Sequence, residues 1–137
     1  MDDELFIVGL YNELLNKILA TPLKSQYIYQ SPGLKKHIIK HGHRNCLPYY
    51  DKISEIIKHP DYVGVNPNEK GVSFELVKLF ERNILIGIKL DPKQSYLFVS
   101  TMYDITDAKL KAKRNCGRLR KFTDISRVFR TKSDKTR

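Results

Sequence analysis

The sequence predicts an α+β domain in which helices come first and pack on one face of an antiparallel sheet. Three observations predict it. Apolar residues recur at helical spacing up to Pro60, they alternate beyond it, and the alternating runs are joined by short turns. The chain has 137 residues, 41% hydrophobic and 29% charged, which suits one soluble domain with a real core. No apolar run approaches the length needed to span a bilayer, so no membrane partner is expected. The chain reads as one domain over 1–123, followed by a basic Ser/Lys/Thr-rich tail, 124–137, expected to be flexible.

The elements follow in order. Residues 5–19 carry Ile7, Tyr11, Leu14 and Ile18 at helical spacing, with Asn12, Glu13, Asn16 and Lys17 on the other side and Pro22 as a stop, which predicts one packing helix. After an extended "QYIYQ", the stretch "SPGLKKHIIKHGH" reads as a short helix. Ser31 is its N-cap, Pro32 its first position, and Gly42 the left-handed cap at its end. Leu34, His37, Ile38 and His41 then share one stripe. A further helix over 48–60 lies between two prolines, with Tyr49, Ile53, Ile56 and Ile57 on its apolar side.

Beyond Pro60, "DYVGV" is a short β-branched strand and "NPNEKG" a loop. Residues 84–90 alternate Ile84, Ile86, Ile88 and Leu90, and 95–101 has strand composition. The intervening "DPKQ" is a turn, because Asp91 can bond its own backbone and Pro92 presets its angle. Residues 72–80 fit a helix or a strand by periodicity. The strand is preferred because "ERN" then closes a tight hairpin onto Ile84. The segment "TDAKLKAKRNCGRLRKF" is a last basic helix or loop.

Charge is unevenly placed. Basic and acidic residues balance up to Ala108, so the whole net charge of +10 resides in 109–137, where only Asp124 and Asp134 oppose the cations. A block of this kind attracts polyanions by releasing their counterions, and it can equally be a solubilising end. Lys109, Lys111, Lys113, Arg114, Arg120 and Lys121 are the candidate nucleic-acid contacts. The start, "MDDELFIVGLYNELL", is acidic where a secretory signal would be basic, and Cys46 and Cys116 are too few for a disulfide framework. A reducing cytoplasm is the expected setting.

His37, His41 and His43, with Cys46 nearby, leave three readings open: structural histidines, an acid–base pair, or a metal site. If 72–80 is a strand, Lys78 lies on the face of Phe74, Leu76 and Phe80, where its amine must reach water or an anion. Alternation likewise puts Thr101 and Tyr103 on the face of Leu97 and Val99, as strand-forming and packing residues or as hydrogen-bond donors.

Taken in order, "GLKKHIIKH", "HPDYVGVNPNE", "SFELVK", "NILIGIKLD", "YLFVSTMYDI" and "GRLRKF" resemble the phage-associated nuclease domains of the barnase–EndoU–colicin–RelE superfamily, known as the PBECR group. The likeness runs from about Gly33 to Phe122. It implies a RelE/barnase-like fold, N-terminal helices packed on a four-stranded antiparallel β-sheet. It also implies a small metal-independent endoribonuclease of phage, mobile-element or toxin type, using no cofactor. Such enzymes let a 2′-hydroxyl attack the adjacent phosphate and leave a cyclic phosphate. The resemblance makes His37 or His41 the proton-transfer group, Lys78 and Arg118 the phosphate holders, and Thr101 and Tyr103 hydrogen-bond donors. The roles of His41 and His43 stay open, because the helix ends "HGHR". RNA is the implied partner, and a toxin would leave room for a cognate inhibitor protein. The alternatives are a non-catalytic nucleic-acid-binding module that uses the basic end, or a metal-binding or regulatory domain.

Overall fold

The structure, a computed structural model, describes residues 4–122. The basic tail over 124–137 therefore lies outside the described residues. Seven strands form one mixed sheet in the order β1-β2-β6-β5-β4-β3-β7. They are β1 (Phe6–Tyr11), β2 (Gln26–Gln30), β3 (Tyr62–Val65), β4 (Ser73–Leu79), β5 (Asn83–Leu90), β6 (Leu97–Ile105) and β7 (Arg120–Lys121). The α-helices are α1 (Glu13–Leu19), α2 (Leu34–Lys40), α3 (Ile53–Lys58) and α4 (Asp107–Asn115), with a 3-10 segment at Arg44–Lys52. The α+β class holds; the four-stranded, wholly antiparallel sheet does not.

The expected meander is present as β3-β4-β5-β6, each pair antiparallel. Two features enlarge it. On one side β2 joins β6 in parallel through Ile28↔Leu97 and Tyr29↔Phe98, bringing β1 with it, and on the other β7 pairs with β3. The single helix expected over 5–19 is instead β1 followed by α1. Asn12 divides them: its backbone is extended and its side chain accepts from the Leu15 N–H, so the helix starts after it. Ahead of that cap, Ile7 and Val8 are β-branched, and Phe6, Ile7, Gly9, Leu10 and Tyr11 pair with β2 while Val8 bulges out of register. The helix expected over 48–60 is likewise shorter, because Pro48 lies inside the 3-10 segment and regular α-helix begins at Ile53.

α1, α2 and α3 cover one sheet face, where Leu15, Ile38, Ile56, Phe74, Ile86 and Met102 belong to one buried core. The opposite face has a smaller core of Tyr62, Val77, Leu85, Ile105, Leu110 and Leu119, closed by α4 and the chain after it. Gly42, at φ +76, ends α2 as expected, and the His43 N–H reaches back to the Ile38 carbonyl at 3.0 Å. At the other end, Ser31 accepts from the Gly33 N–H and the helix proper begins at Leu34.

The register of β6 decides which face carries chemistry. Ile88 pairs with Val99 but Gly87 pairs with Thr101, so Ser100 is an extra residue, and its hydroxyl bonds the Gly87 carbonyl at 3.1 Å. One inserted residue reverses the alternation. Thr101 and Tyr103 therefore lie on the face opposite Leu97 and Val99, which corrects the simple period-2 expectation.

Candidate active site on the open sheet face

Thr101, Gly87, Glu75 and Gly64 form one cross-strand row on the face away from α1, α2 and α3. Gly87 keeps this row low in the middle: a Cβ there would meet Thr101 Cγ2 at 3.0 Å. Gly64 lets the chain after α4 lie directly on the sheet, since a Cβ there would stand 1.7 Å from the Arg118 carbonyl oxygen. Gly117, at φ +85, makes the turn that delivers Arg118.

Arg118 then faces Glu75 through two parallel bonds, Nε to Oε1 at 3.0 Å and Nη2 to Oε2 at 2.8 Å. Lys113 Nζ stands 3.7 Å from the same carboxylate. Glu75 is only 3% exposed, and an acid so buried is tolerable because both cations face it. The carboxylate engages the Nε–Nη2 edge, so those two bonds leave the Nη1 end of the guanidinium for an anion. The hydrogen bonds from Arg118 to Glu75 also push the guanidinium pKa up, so it stays charged. Tyr103, on the same face, has its phenol pKa raised first by burial and then by the Glu75 charge, with Arg118 opposing. It is therefore a protonated donor at neutral pH.

The second wall comes from α2. The parallel pairing of β2 with β6 covers only the start of β6, and α2 and the 3-10 segment also pack against β6. Leu34 and Ile38 anchor α2 in the core, which leaves His37 half-buried and His41 exposed. The His37 and His41 rings lie 4.3 Å apart, and the His43 ring lies 5.2 Å from that of Tyr103. The pKa of His37 is lowered, chiefly by desolvation and then by His41, His43, Lys40 and Lys89. A neutral imidazole beside a cationic surface is suited to accept a proton.

Of the residues expected from the sequence, Thr101, Tyr103 and Arg118 share this face, and His37 and His41 stand on the helix that borders it. Lys78 does not join them. It pairs with Ile84 on the helix-covered face and donates to the His59 carbonyl at 2.9 Å. Glu75 was not singled out as a site residue, and His43 was raised only with its role against His41 left open. The signal for Glu75 is a carboxylate within the apolar run "SFELVK", on the strand face that alternation assigns to Val77. Cys46 does not converge with the histidine side chains: its thiol bonds the His43 and Met102 carbonyls, and burial pushes its pKa up to about 11. Among the described residues no group of three His, Cys, Asp or Glu side chains is placed to hold a metal ion.

Of the candidate nucleic-acid contacts, Lys113 turns inward to Glu75, while Lys109, Lys111, Arg114, Arg120 and Lys121 are exposed. Arg114 also lies over the Tyr62 ring, 4.8 Å from its centroid. Among the described residues no helix is long and apolar enough to cross a membrane.

A family model described as phage-Barnase-EndoU-ColicinE5/D-RelE like nuclease3 matches residues 5–112. The match covers most of the chain, which therefore belongs to this family of nucleases. It starts in the β1 region, earlier than the motifs that carried the resemblance, and ends within α4, short of Lys113 and Arg118. No curated protein and no solved structure matches the chain.

Proposed function

We propose that this chain is an endoribonuclease and that its reaction centre is the open sheet face between α2 and the Arg118 turn. The observation that carries the reading is the convergence there of Thr101, Tyr103, His43 and the Arg118–Glu75–Lys113 cluster, in a member of a nuclease family. The 2′-hydroxyl oxygen of the substrate attacks the adjacent phosphorus, and its proton passes to neutral His37. The 5′ oxygen of the next nucleotide leaves and takes a proton from His43. The products are a 2′,3′-cyclic phosphate end and a free 5′-hydroxyl end. Arg118 holds the charge that develops on the phosphate, through the end of its guanidinium that Glu75 leaves open. Lys113 adds a second cation, and Tyr103 and Thr101 donate hydrogen bonds that orient the phosphate.

Glu75 is a positioning residue in this scheme. It fixes the angle of Arg118, and holding such groups in place before reaction is what gives them their effect. The nucleophile belongs to the substrate, so cleavage is expected to persist in chelator. The deciding experiment is product-end analysis after incubation with mixed single-stranded RNA and with an all-deoxy oligonucleotide of the same sequence. Cyclic phosphate ends on RNA and an intact deoxy strand are expected. Cutting of the deoxy strand would refute the mechanism, and binding of RNA without turnover would make the chain a nucleic-acid-binding module.

A further inference from the structure

The open face extends beyond the site just described, into strands that a four-stranded sheet would lack. There β1, β2 and the start of β6 present Ile7, Leu10, Tyr27, Tyr29, Tyr96 and Phe98 on one side, aligned by the pairs Ile7↔Tyr29, Leu10↔Tyr27 and Tyr29↔Phe98. Tyr27 and Ile7 are each 54% exposed and Leu10 46%. The four aromatic rings belong to neither hydrophobic core. Tyr96 meets Tyr29 edge-on at 5.9 Å and Phe98 at 6.0 Å, so the rings form a connected strip. Packing within the domain does not account for it, and exposed apolar strips of this kind mark binding surfaces.

We propose that this strip is a stacking platform for the unpaired bases of single-stranded RNA flanking the cleaved phosphate. The assignment rests on the ribonuclease reading for its orientation. Two observations favour nucleic acid over a protein occupant. First, the chain between Glu13 and Asp51, which supplies β2 and α2, contains no carboxylate side chain but does contain Lys24, Lys35, Lys36, Lys40 and Arg44. Lys89, whose Nζ also pairs with Glu69 at 3.1 Å, is the cross-strand neighbour of Phe98 on this face. Second, the strip is continuous with the candidate centre, since Phe98 and Thr101 lie three steps apart on β6, about 10 Å at the usual rise of a strand. That span is within roughly two nucleotides of an extended strand. Aromatic rings on a sheet surface, beside cations that track the backbone, are the physical means by which unpaired bases are held without sequence readout. A duplex, whose bases are already stacked on one another, gains nothing from the strip.

The test uses a short single-stranded all-deoxy oligonucleotide carrying 2-aminopurine, whose fluorescence is quenched when the base stacks. It has no 2′-hydroxyl, so its binding is read independently of whether the chain cuts RNA. The full chain is expected to bind it with quenching. The double variant Tyr27→Leu/Phe98→Leu retains apolar area but removes two rings. It is expected to lose the quenching and about tenfold in affinity, with duplex binding unchanged. Tyr27→Ser alone, at an exposed position where folding is not at stake, should weaken binding about threefold. Equal affinity and quenching in the variants would overturn the platform. So would light scattering that shows a dimer of the full chain dissociated by Tyr27→Ser, because the strip would then bind a second copy.

Discussion

Glu75 sits in the middle of β4, and its carboxylate faces two cations, Lys113 from α4 and Arg118 from the turn after it. Glu75→Gln would leave Arg118 and Lys113 beside a neutral amide in a poorly solvated place. A loss of about 3 kcal/mol in urea unfolding is expected, together with slower cleavage. A variant as stable and as active as the parent would show that the pair neither holds the fold nor aims the guanidinium. His37 makes a pH-dependent prediction. Its pKa lies below the ordinary 6.5, so in the window just under 6.5 the unfolded chain takes up a proton that the folded chain refuses. Stability from this group is complete above 6.5 and falls as the pH drops through that window. As general base, His37 stays neutral to the same lower pH, so the acid limb of kcat/KM should inflect below 6.5. Lys40→Gln removes one of the charges that depress it and should move the limb upward. A limb above 6.5 that Lys40→Gln leaves in place would exclude His37 as the base.

At the scale of elements, the open face depends on two glycines and one bulge. Gly64→Ala puts a methyl group where the Arg118 carbonyl now lies, so the turn after α4 must lift. We expect a cost of about 1–3 kcal/mol and a loss of cleavage greater than the stability loss explains, measured together by urea unfolding and single-turnover rates. Full activity in Gly64→Ala would show that Arg118 acts from elsewhere. The hairpin of β4 and β5 was legible in the sequence, because its alternation and its short turn are local signals. The bulge was not. Ser100 sits in a run of ordinary strand residues, and one inserted residue leaves no trace in composition while it moves Thr101 and Tyr103 to the other face. The division at Asn12 had a local signal, an asparagine before Glu13, which the helical spacing of Ile7, Tyr11, Leu14 and Ile18 obscured.

For the whole molecule, charge and topology combine. The parallel contact of β2 with β6 joins Ile28 to Leu97, partners too distant in sequence for any periodic pattern to announce. It is this contact that adds the aromatic strip to the sheet. The candidate site was legible in Thr101, Tyr103 and Arg118 through the order of their motifs. Glu75 was not, because a single acid in an apolar strand reads as a surface residue until the Arg118 turn is laid over it. Lys109, Lys111 and Arg114 on α4 and Arg120 and Lys121 on β7 are exposed. If each neutralises one phosphate, the logarithm of single-stranded RNA affinity should fall with the logarithm of salt at a slope of about −3.5. Neutralising Lys109, Lys111 and Arg120 together should reduce that slope by about 2. An unchanged slope would place the phosphate contacts elsewhere. Catalysis and binding are separated most directly by single-turnover cleavage of one RNA at saturating protein, comparing the parent chain with Arg118→Ala and Lys78→Met. With the reaction centre on the open face, Arg118→Ala should lose about a hundredfold to a thousandfold in rate, and Lys78→Met, on the helix-covered face, should stay within about twofold. The reverse pattern, with Lys78→Met inactive and Arg118→Ala unimpaired, would contradict that placement.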